Sequence, residues 1–461
     1  MCRQLTGPRA PWFSSEERIA KRIVRGDCVV ERSGRSTLAS DTSENDPNSQ
    51  PSFGQLALRA ARRVYRLLLY PIYFLSGLVP RDPHRWVFGA RNGLFFEGNS
   101  KWLYLYVARF EADVQAVWIT RRKEIVEMLR KQGLTAYLRN SPRGIWEQLR
   151  AGVFVVILNS PDINYWTKRG ALFANIQHGT PFKRFGRDVR DAANPLFKNH
   201  NANALQRLAM KVGVPSTYEY ADFVASTSPE TSERWSSALG IPRHRVAETG
   251  NPRNDVLVAE AYAPDEWDRS WFELLNGHKR AGKKVISYLP TFRHAAGAAR
   301  EAPIDWTRLN KFFAARQIHA WIRWHPGDER PLPEVGHLDA ISLVPGEIDI
   351  APLLRLTDLL ITGYSSAYFD FLLLDRPIVF YAYDKQDYLA EGKTLYENYE
   401  DVTPGPIVTN FEQLLEVLKR EGDADLYADA RAELRQRTHD NLDAGASRRV
   451  YESIRDRLNA S

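Results

Sequence analysis

Cysteine is nearly missing from this chain: two residues in 461, Cys2 and Cys28, both close to the N-terminus. That excludes a disulfide framework and a cysteine-based zinc site. No uninterrupted apolar stretch reaches the ~18 residues of a spanning helix, so an integral membrane protein is not expected. No apolar h-region follows the first basic residues, which argues against secretion and for a cytoplasmic protein. The phosphate-loop pattern GxxxxGK followed by Ser or Thr does not occur, and no GxGxxG follows the first predicted strand. Both absences argue against a P-loop NTPase and a dinucleotide dehydrogenase. Asp-x-Asp occurs once, as Asp423-Ala424-Asp425, and no tight Asp/His cluster suggests a metal cage. Neither a metal nor a resident cofactor is therefore expected.

What is present fits a folded, soluble chain. It is 44% apolar, 26% charged and 11% aromatic, with 28 glycines and 26 prolines, which rules out collagen, coiled coil and wholesale disorder. The length allows two or three units with sizeable cores. A net charge of +7 is thin over this length and speaks for nucleic acid only where it is concentrated. It is concentrated once. Arg59, Arg62, Arg63 and Arg66 fall on one face of a helix, with Leu58, Ala61, Tyr65 and Leu68 on the other. An apolar run over 67–79 follows, broken by Pro71 and Gly77. A basic amphipathic helix entering an apolar patch is the form of an interfacial anchor on anionic lipid. The alternative is a helix packed on its own domain with its arginines in water. The stripe lacks the aromatic interleaving of single-strand binders, so no nucleic-acid partner is expected.

Residues 31–52 are rich in Ser, Thr, Asn and Asp and cannot bury enough apolar surface to offset their ordering entropy. Beyond Pro83, short apolar runs alternate with amphipathic stretches. Strands are expected at 86–88, 116–119, 153–158 and 173–176, then at 223–225, 285–288, 320–323, 359–361 and 378–381. Helices fit at 104–110, 122–132, 228–239, 306–316, 365–374 and 410–421. This alternation implies parallel sheets covered on both faces, in an α/β protein with two Rossmann-like domains facing a cleft. The expected layout is a disordered tail over 1–52, an amphipathic segment over 53–82, domains over 83–215 and 216–420, and C-terminal helices over 421–461.

Ligands of open α/β sheets bind beyond the carboxyl ends of the strands. Gln177-His178-Gly179-Thr180-Pro181 follows one predicted strand, and an imidazole there is suited to taking a hydroxyl proton near neutral pH. The other reading is a structural histidine satisfied by a loop carbonyl. Pro290-Thr291-Phe292-Arg293 closes another strand, and Arg323-Trp324-His325-Pro326 a third. Arg253, in Gly250-Asn251-Pro252-Arg253-Asn254-Asp255, can present a planar fork to a phosphate; a surface arginine in an Asn-Pro turn is the alternative. In the segment 362–370, Gly363 frees a turn and Ser365 or Ser366 caps a helix whose first amides would attract an anion. An ordinary serine cap without ligand remains open there. Asp370, one turn into that helix, would meet a polyol or nucleotide hydroxyl or simply favour the helix dipole.

Taken in order, QHGTP at 177–181, GNPRND at 250–255, YLPTFR at 288–293, RWHP at 323–326 and TGYSSAYFDFLLLDRPIVFY at 362–381 resemble the CDP-glycerol glycerophosphotransferase family. These are the polyol-phosphate transferases and polymerases of teichoic acid and capsule synthesis. Residues 443–449 are similar to the family's C-terminal signature. The resemblance implies a GT-B-like pair of domains, the first for the acceptor and the second for a CDP-polyol donor. It implies a peripheral protein on the cytoplasmic face of the cell membrane. The reaction moves glycerol phosphate or ribitol phosphate to a hydroxyl of a lipid-linked or polymeric acceptor and releases CMP. By that resemblance His178 is the general base and His325 a second essential histidine near the donor phosphates. Donor contacts fall on Gln177, Gly179, Thr180, Pro181, Arg253, Pro290, Thr291, Arg323, Trp324, Ser365, Ser366 and Asp370. The chain departs from the family at Gln177, often aromatic there, and at Gly363, often aspartate. A nucleotide-sugar glycosyltransferase of the same architecture is the competing expectation.

Overall fold

The computed structural model describes residues 53–190, 215–291, 302–324, 333–390, 394–420 and 424–460, with the single positions 203 and 210. The tail expected over 1–52 lies outside them. From Asp82 onward the described chain builds two parallel sheets. The first takes β1 (Asp82–Phe88), β2 (Gln115–Thr120), β3 (Ala136–Leu138), β4 (Ala151–Val156), β5 (Leu172–Asn175), β6 (Phe223–Ser226) and β7 (Val246–Glu248), in the order β3-β2-β1-β4-β5-β6-β7. The second takes β8 (Lys284–Leu289), β9 (Ile318–Arg323), β10 (Ile341–Val344), β11 (Leu359–Thr362), β12 (Ile378–Tyr381) and β13 (Ile407–Val408), in the order β10-β9-β8-β11-β12-β13. Both orders reverse beside the first strand, the doubly wound arrangement that opens a crevice at the carboxyl ends.

Burial explains why the runs read as continuous apolar stretches. Helices cover both faces, so side chains of either parity are enclosed. Trp86, Phe88, Trp118, Val153 and Val155 face one layer, while Val87, Val117, Ile119, Phe154 and Val156 face the other. The second sheet divides in the same way, Val285, Trp321 and Leu360 against Ile286, Ile322 and Ile361. Each such aliphatic side chain contributes roughly 1.5–3 kcal/mol when fully enclosed. The C-terminal helix, Ala446–Asn459, returns to the first sheet, where Val450, Tyr451 and Ile454 join its core.

One expectation is corrected. The alternation along the chain places the strand at 223–225 in the second unit, but β6 pairs with β5, and β7 with β6, in the first sheet. The first sheet therefore reaches Glu248 and does not end by residue 215. Alternation along the chain shows that a strand exists, but not which sheet supplies its partner.

The basic amphipathic segment is a helix over Phe53–Ser76, and it continues through Pro71. Its C-terminal end is docked. Tyr73 stacks on Tyr165 at 4.9 Å and Tyr70 meets Trp166 edge-on at 5.5 Å. Arg81 closes the junction by donating to the carbonyls of Ser76, Gln148, Ala151, Thr167 and Arg169. Further along, Leu68 (69% exposed), Leu75 (61%) and Leu78 (77%) remain in solvent. Among the described residues no helix is long and apolar enough to cross a membrane.

Candidate active site

The turn after β5 is built around two left-handed positions. Gln177 has φ 58° and Gly179 φ 154°. Gln177 is held there by its own amide, which donates to Asn175 Oδ1 at 3.1 Å, and by burial of its side chain. Gly179 is required by space. A Cβ there would stand 2.9 Å from Arg253 Nη2 and 3.5 Å from Ser366 Oγ. Three segments far apart in sequence thus meet at one glycine.

Arg253 is nearly enclosed, at 8% exposed. Its Nη1 donates to the His178 carbonyl at 2.7 Å, and its Nη2 pairs with the Asp370 carboxylate. Burial raises the Asp370 pKa, and Arg253 opposes that rise. The guanidinium therefore joins the two lobes and fixes the backbone that carries His178. The residue is exposed. Loss of hydration at the turn, followed by the charges of Arg91 and Arg253, brings its pKa down to about 4, while a hydrogen bond to the Ile157 carbonyl opposes the fall. The ring is neutral at neutral pH. The bond to Ile157 occupies one ring nitrogen as a donor and leaves the other as an acceptor.

The second lobe supplies the rest. The amide of Tyr364 donates to Thr291 Oγ1 at 2.7 Å, so the end of β8 and the turn after β11 are joined beside Gly363. Pro290 and Thr291 are both buried there. Ser365 Oγ accepts from the Ala367 amide at 3.3 Å, and the helix that follows runs only over Ala367–Phe371 before tightening into a 3-10 turn at Leu372–Leu374. Ser366 makes no capping bond and its hydroxyl lies beside Gly179. Arg323 is engaged elsewhere: Nε and Nη2 donate to the carbonyls of Ile348 and Gly346 at 2.7–3.0 Å. Trp324 packs on the core of the second sheet. Thr180 and Pro181 are buried beside the turn. His325 and Arg293 lie outside the described residues.

Asn99 was not singled out from sequence, yet it organises the site. Fully buried in the first turn of the Gly98–Phe110 helix, it donates to the carbonyls of Ile176 (3.1 Å) and Gln177 (2.9 Å) and accepts from the Arg253 amide at 3.1 Å. A cluster of enclosed charge stands one turn further on. Lys101 Nζ is 2.8 Å from Asp265 Oδ2 and also pairs with Asp268. Burial lowers the Lys101 pKa, but Asp265, Asp268 and Asp349 outweigh it and push the pKa up. Asp349 also accepts from the Gly98 amide at 2.6 Å. The signal available in sequence was the polar run Gly98-Asn99-Ser100-Lys101, placed where an apolar helix start would be ordinary. The signature at 443–449 also has a role: Asp255 accepts from the amides of Ala446 and Ser447, both at 2.8 Å, which anchors the 250–255 turn.

A cavity of about 490 Å³ lies elsewhere, at the amino ends of the second sheet's strands, lined by Lys279, Arg355 and Arg376 among others. Lys279 pairs with Asp358, and the two arginines donate to backbone carbonyls. Those cations hold the fold together.

Two doubly wound lobes with an imidazole turn on one and a hydroxyl-lined turn on the other define a two-lobed transferase architecture. The family model for CDP-glycerol:poly(glycerophosphate) glycerophosphotransferase matches residues 72–456, and the chain belongs to that family. It is 28% identical over 404 residues to a teichoic acid glycerol-phosphate transferase of Staphylococcus aureus, covering 85% of this chain and 98% of that one. It is 26% identical to a teichoic acid poly(glycerol phosphate) polymerase of Bacillus spizizenii, over 77% of this chain and 89% of the relative. The wall teichoic acid polymerase TagF has the same fold, with TM-score 0.68, 24% identity, and coverage of 89% of this chain and 99% of that one. The protein is a glycerophosphotransferase-like enzyme.

Proposed function

We propose that this enzyme moves glycerol phosphate or ribitol phosphate from a CDP-linked donor to the terminal hydroxyl of a polymeric or lipid-linked acceptor. The observation that supports this best is the junction at Gly179, where His178, Arg253 and Ser366 converge. The acceptor oxygen attacks the donor's β-phosphorus. An O–P bond forms, the bridging P–O bond breaks towards CMP, and the hydroxyl proton passes to the free nitrogen of His178. The hydroxyls of Ser366 and Thr291 would hold the diphosphate and take up charge as CMP leaves. Arg253 keeps the His178 turn in place and adds positive field. His325 is assigned its role near the donor phosphates by family resemblance.

We further propose that the Phe53–Ser76 helix rests on the cytoplasmic face of an anionic membrane. Its exposed leucines and arginine stripe support that reading. The activity test is incubation with CDP-glycerol, CDP-ribitol and a set of UDP- and GDP-sugars, followed by analysis of the released nucleotide. CMP release, lowered by about 10² to 10⁴ in His178→Ala, is expected for a general base. UDP or GDP release would favour the glycosyltransferase reading.

A further inference from the structure

Asp162 is a fully buried carboxylate close to the His178 turn, and the transfer step leaves it unused. It closes the 3-10 turn Ser160–Asp162, shortly after β4. Three backbone amides converge on it. Asn92, in the turn after β1, donates to Oδ1 at 2.8 Å, while Ile157 and Leu158 donate to Oδ2 at 3.1 and 2.9 Å. An asparagine would bring a donor as well as an acceptor, so a carboxylate, which only accepts, is the side chain that suits three amides. The close approach needs a glycine: a Cβ on Gly89 would overlap the Asp162 carbonyl.

The bond to Leu158 has a consequence for the imidazole. That N–H belongs to the same peptide group as the Ile157 carbonyl, and the Ile157 carbonyl accepts from the His178 ring. Carboxylate, peptide and imidazole therefore stand in series. A hydrogen bond at one end of a peptide polarises the other end and makes its oxygen a better acceptor. Neighbouring bonds hold the same peptide segment to the His178 turn. Asn175 Nδ2 donates to the Leu158 carbonyl at 2.7 Å, while Asn175 Oδ1 accepts from the Gln177 amide at 3.1 Å. The Ile176 amide donates to the Val156 carbonyl at 2.9 Å. The cations facing Asp162 are Arg91, after β1, and Arg139, after β3; Arg91 and Arg253 face the imidazole. Burial pushes the Asp162 pKa up to about 6, the three amides and Arg91 oppose that rise, and the group is ionised at neutral pH.

We propose that Asp162 is a positioning residue that acts through the Ile157–Leu158 peptide, fixing which nitrogen of His178 carries the proton and keeping the other free for the acceptor hydroxyl. The inference rests on the base role proposed for His178 and specifies what prepares that base. As the hydroxyl proton moves onto the free nitrogen, the ring becomes an imidazolium and its other N–H stays on the Ile157 carbonyl. Asp162 takes no proton, and its charge stabilises the cation through the peptide, as a buried aspartate does when it touches a catalytic imidazole directly.

The test is histidine-selective nitrogen NMR of the full chain without substrates, the His178 signals being those missing from His178→Ala. In the wild-type protein the two ring nitrogens should be well separated, one protonated and one bare. Asp162→Asn should draw them together as both tautomers become populated. It should also lower kcat roughly tenfold with KM for CDP-glycerol within about twofold, a smaller loss than the ~10² to 10⁴ of removing the base itself. Asp222→Asn is the structural control, since that carboxylate accepts from the Phe173 amide at 2.9 Å at the amino end of β5. It should leave both readouts unchanged, and thermal melting checks the fold of each variant. Should Asp162→Asn not fold, the wild-type protein decides: the His178 N–H resonance should shift as Asp162 titrates near pH 6, above the ring's own transition. Unmoved resonances in Asp162→Asn, an equal change in Asp222→Asn, or a wild-type resonance that stays flat through pH 6 overturns the proposal. The spectra need no turnover, so failure of CMP release would remove the transferase reading and leave this measurement standing.

Discussion

A single methyl group at Gly179 would enter space held by the Arg253 guanidinium, in a backbone conformation that side chains rarely adopt. Gly179→Ala should therefore lower stability by about 1–3 kcal/mol and cut CMP release by at least about tenfold, read from thermal melts and turnover. His178 gives a pH signature. Its folded pKa lies near 4, below its ordinary value of 6.5, so between those values the folded protein binds fewer protons than the unfolded chain. The stability it adds is present above pH 6.5 and is lost as pH falls towards 4. As the proposed general base His178 must be neutral for turnover, so the acid limb of kcat/KM should be centred well below pH 6.5; a limb at or above 6.5 would contradict the assignment. At this scale the sequence was informative, because Gly and Pro around a histidine mark a constrained turn. Asn99 stayed hidden because its partners are backbone carbonyls and an amide, which no residue pattern displays.

Whole elements were legible in proportion to their enclosure. The strands that the apolar runs leave unmarked are β3, β7, β10 and β13, the outermost strands of the two sheets. They are short and only partly buried, so no continuous run distinguishes them from loop. Likewise, Pro71 reads as a break but sits inside the Phe53–Ser76 helix. Surface position explains the tolerance, since water can satisfy the carbonyl that loses its donor. The exposed flank of this helix carries a prediction: the protein should float with phosphatidylglycerol vesicles, less so as salt rises. Removing residues 53–80 should abolish flotation, and unchanged flotation would refute the anchor.

Across the molecule, the two lobes are joined by buried polar contacts rather than by apolar packing alone. Asn99 and Arg253 tie the turns together, and Lys101 stands among Asp265, Asp268 and Asp349. Replacing one member leaves enclosed charge without a partner, so Lys101→Met should destabilise the protein by about 3–5 kcal/mol, read as a lower denaturant midpoint. A second change, Asp268→Leu, should recover part of that loss. Burial raises the Asp268 pKa, and Lys101 opposes that rise. Sequence alternation revealed two units, but their division was misplaced because partner choice is a tertiary property.

The return of the Ala446–Asn459 helix to the first core has a consequence for biogenesis. Trp86 leaves the ribosome long before Tyr451, against which its ring packs at 5.3 Å. The amino-terminal half of a nascent chain must therefore wait with part of its core open until that helix has been synthesised. A ribosome stalled just short of that helix would hold an unfinished first lobe, a natural substrate for chaperones.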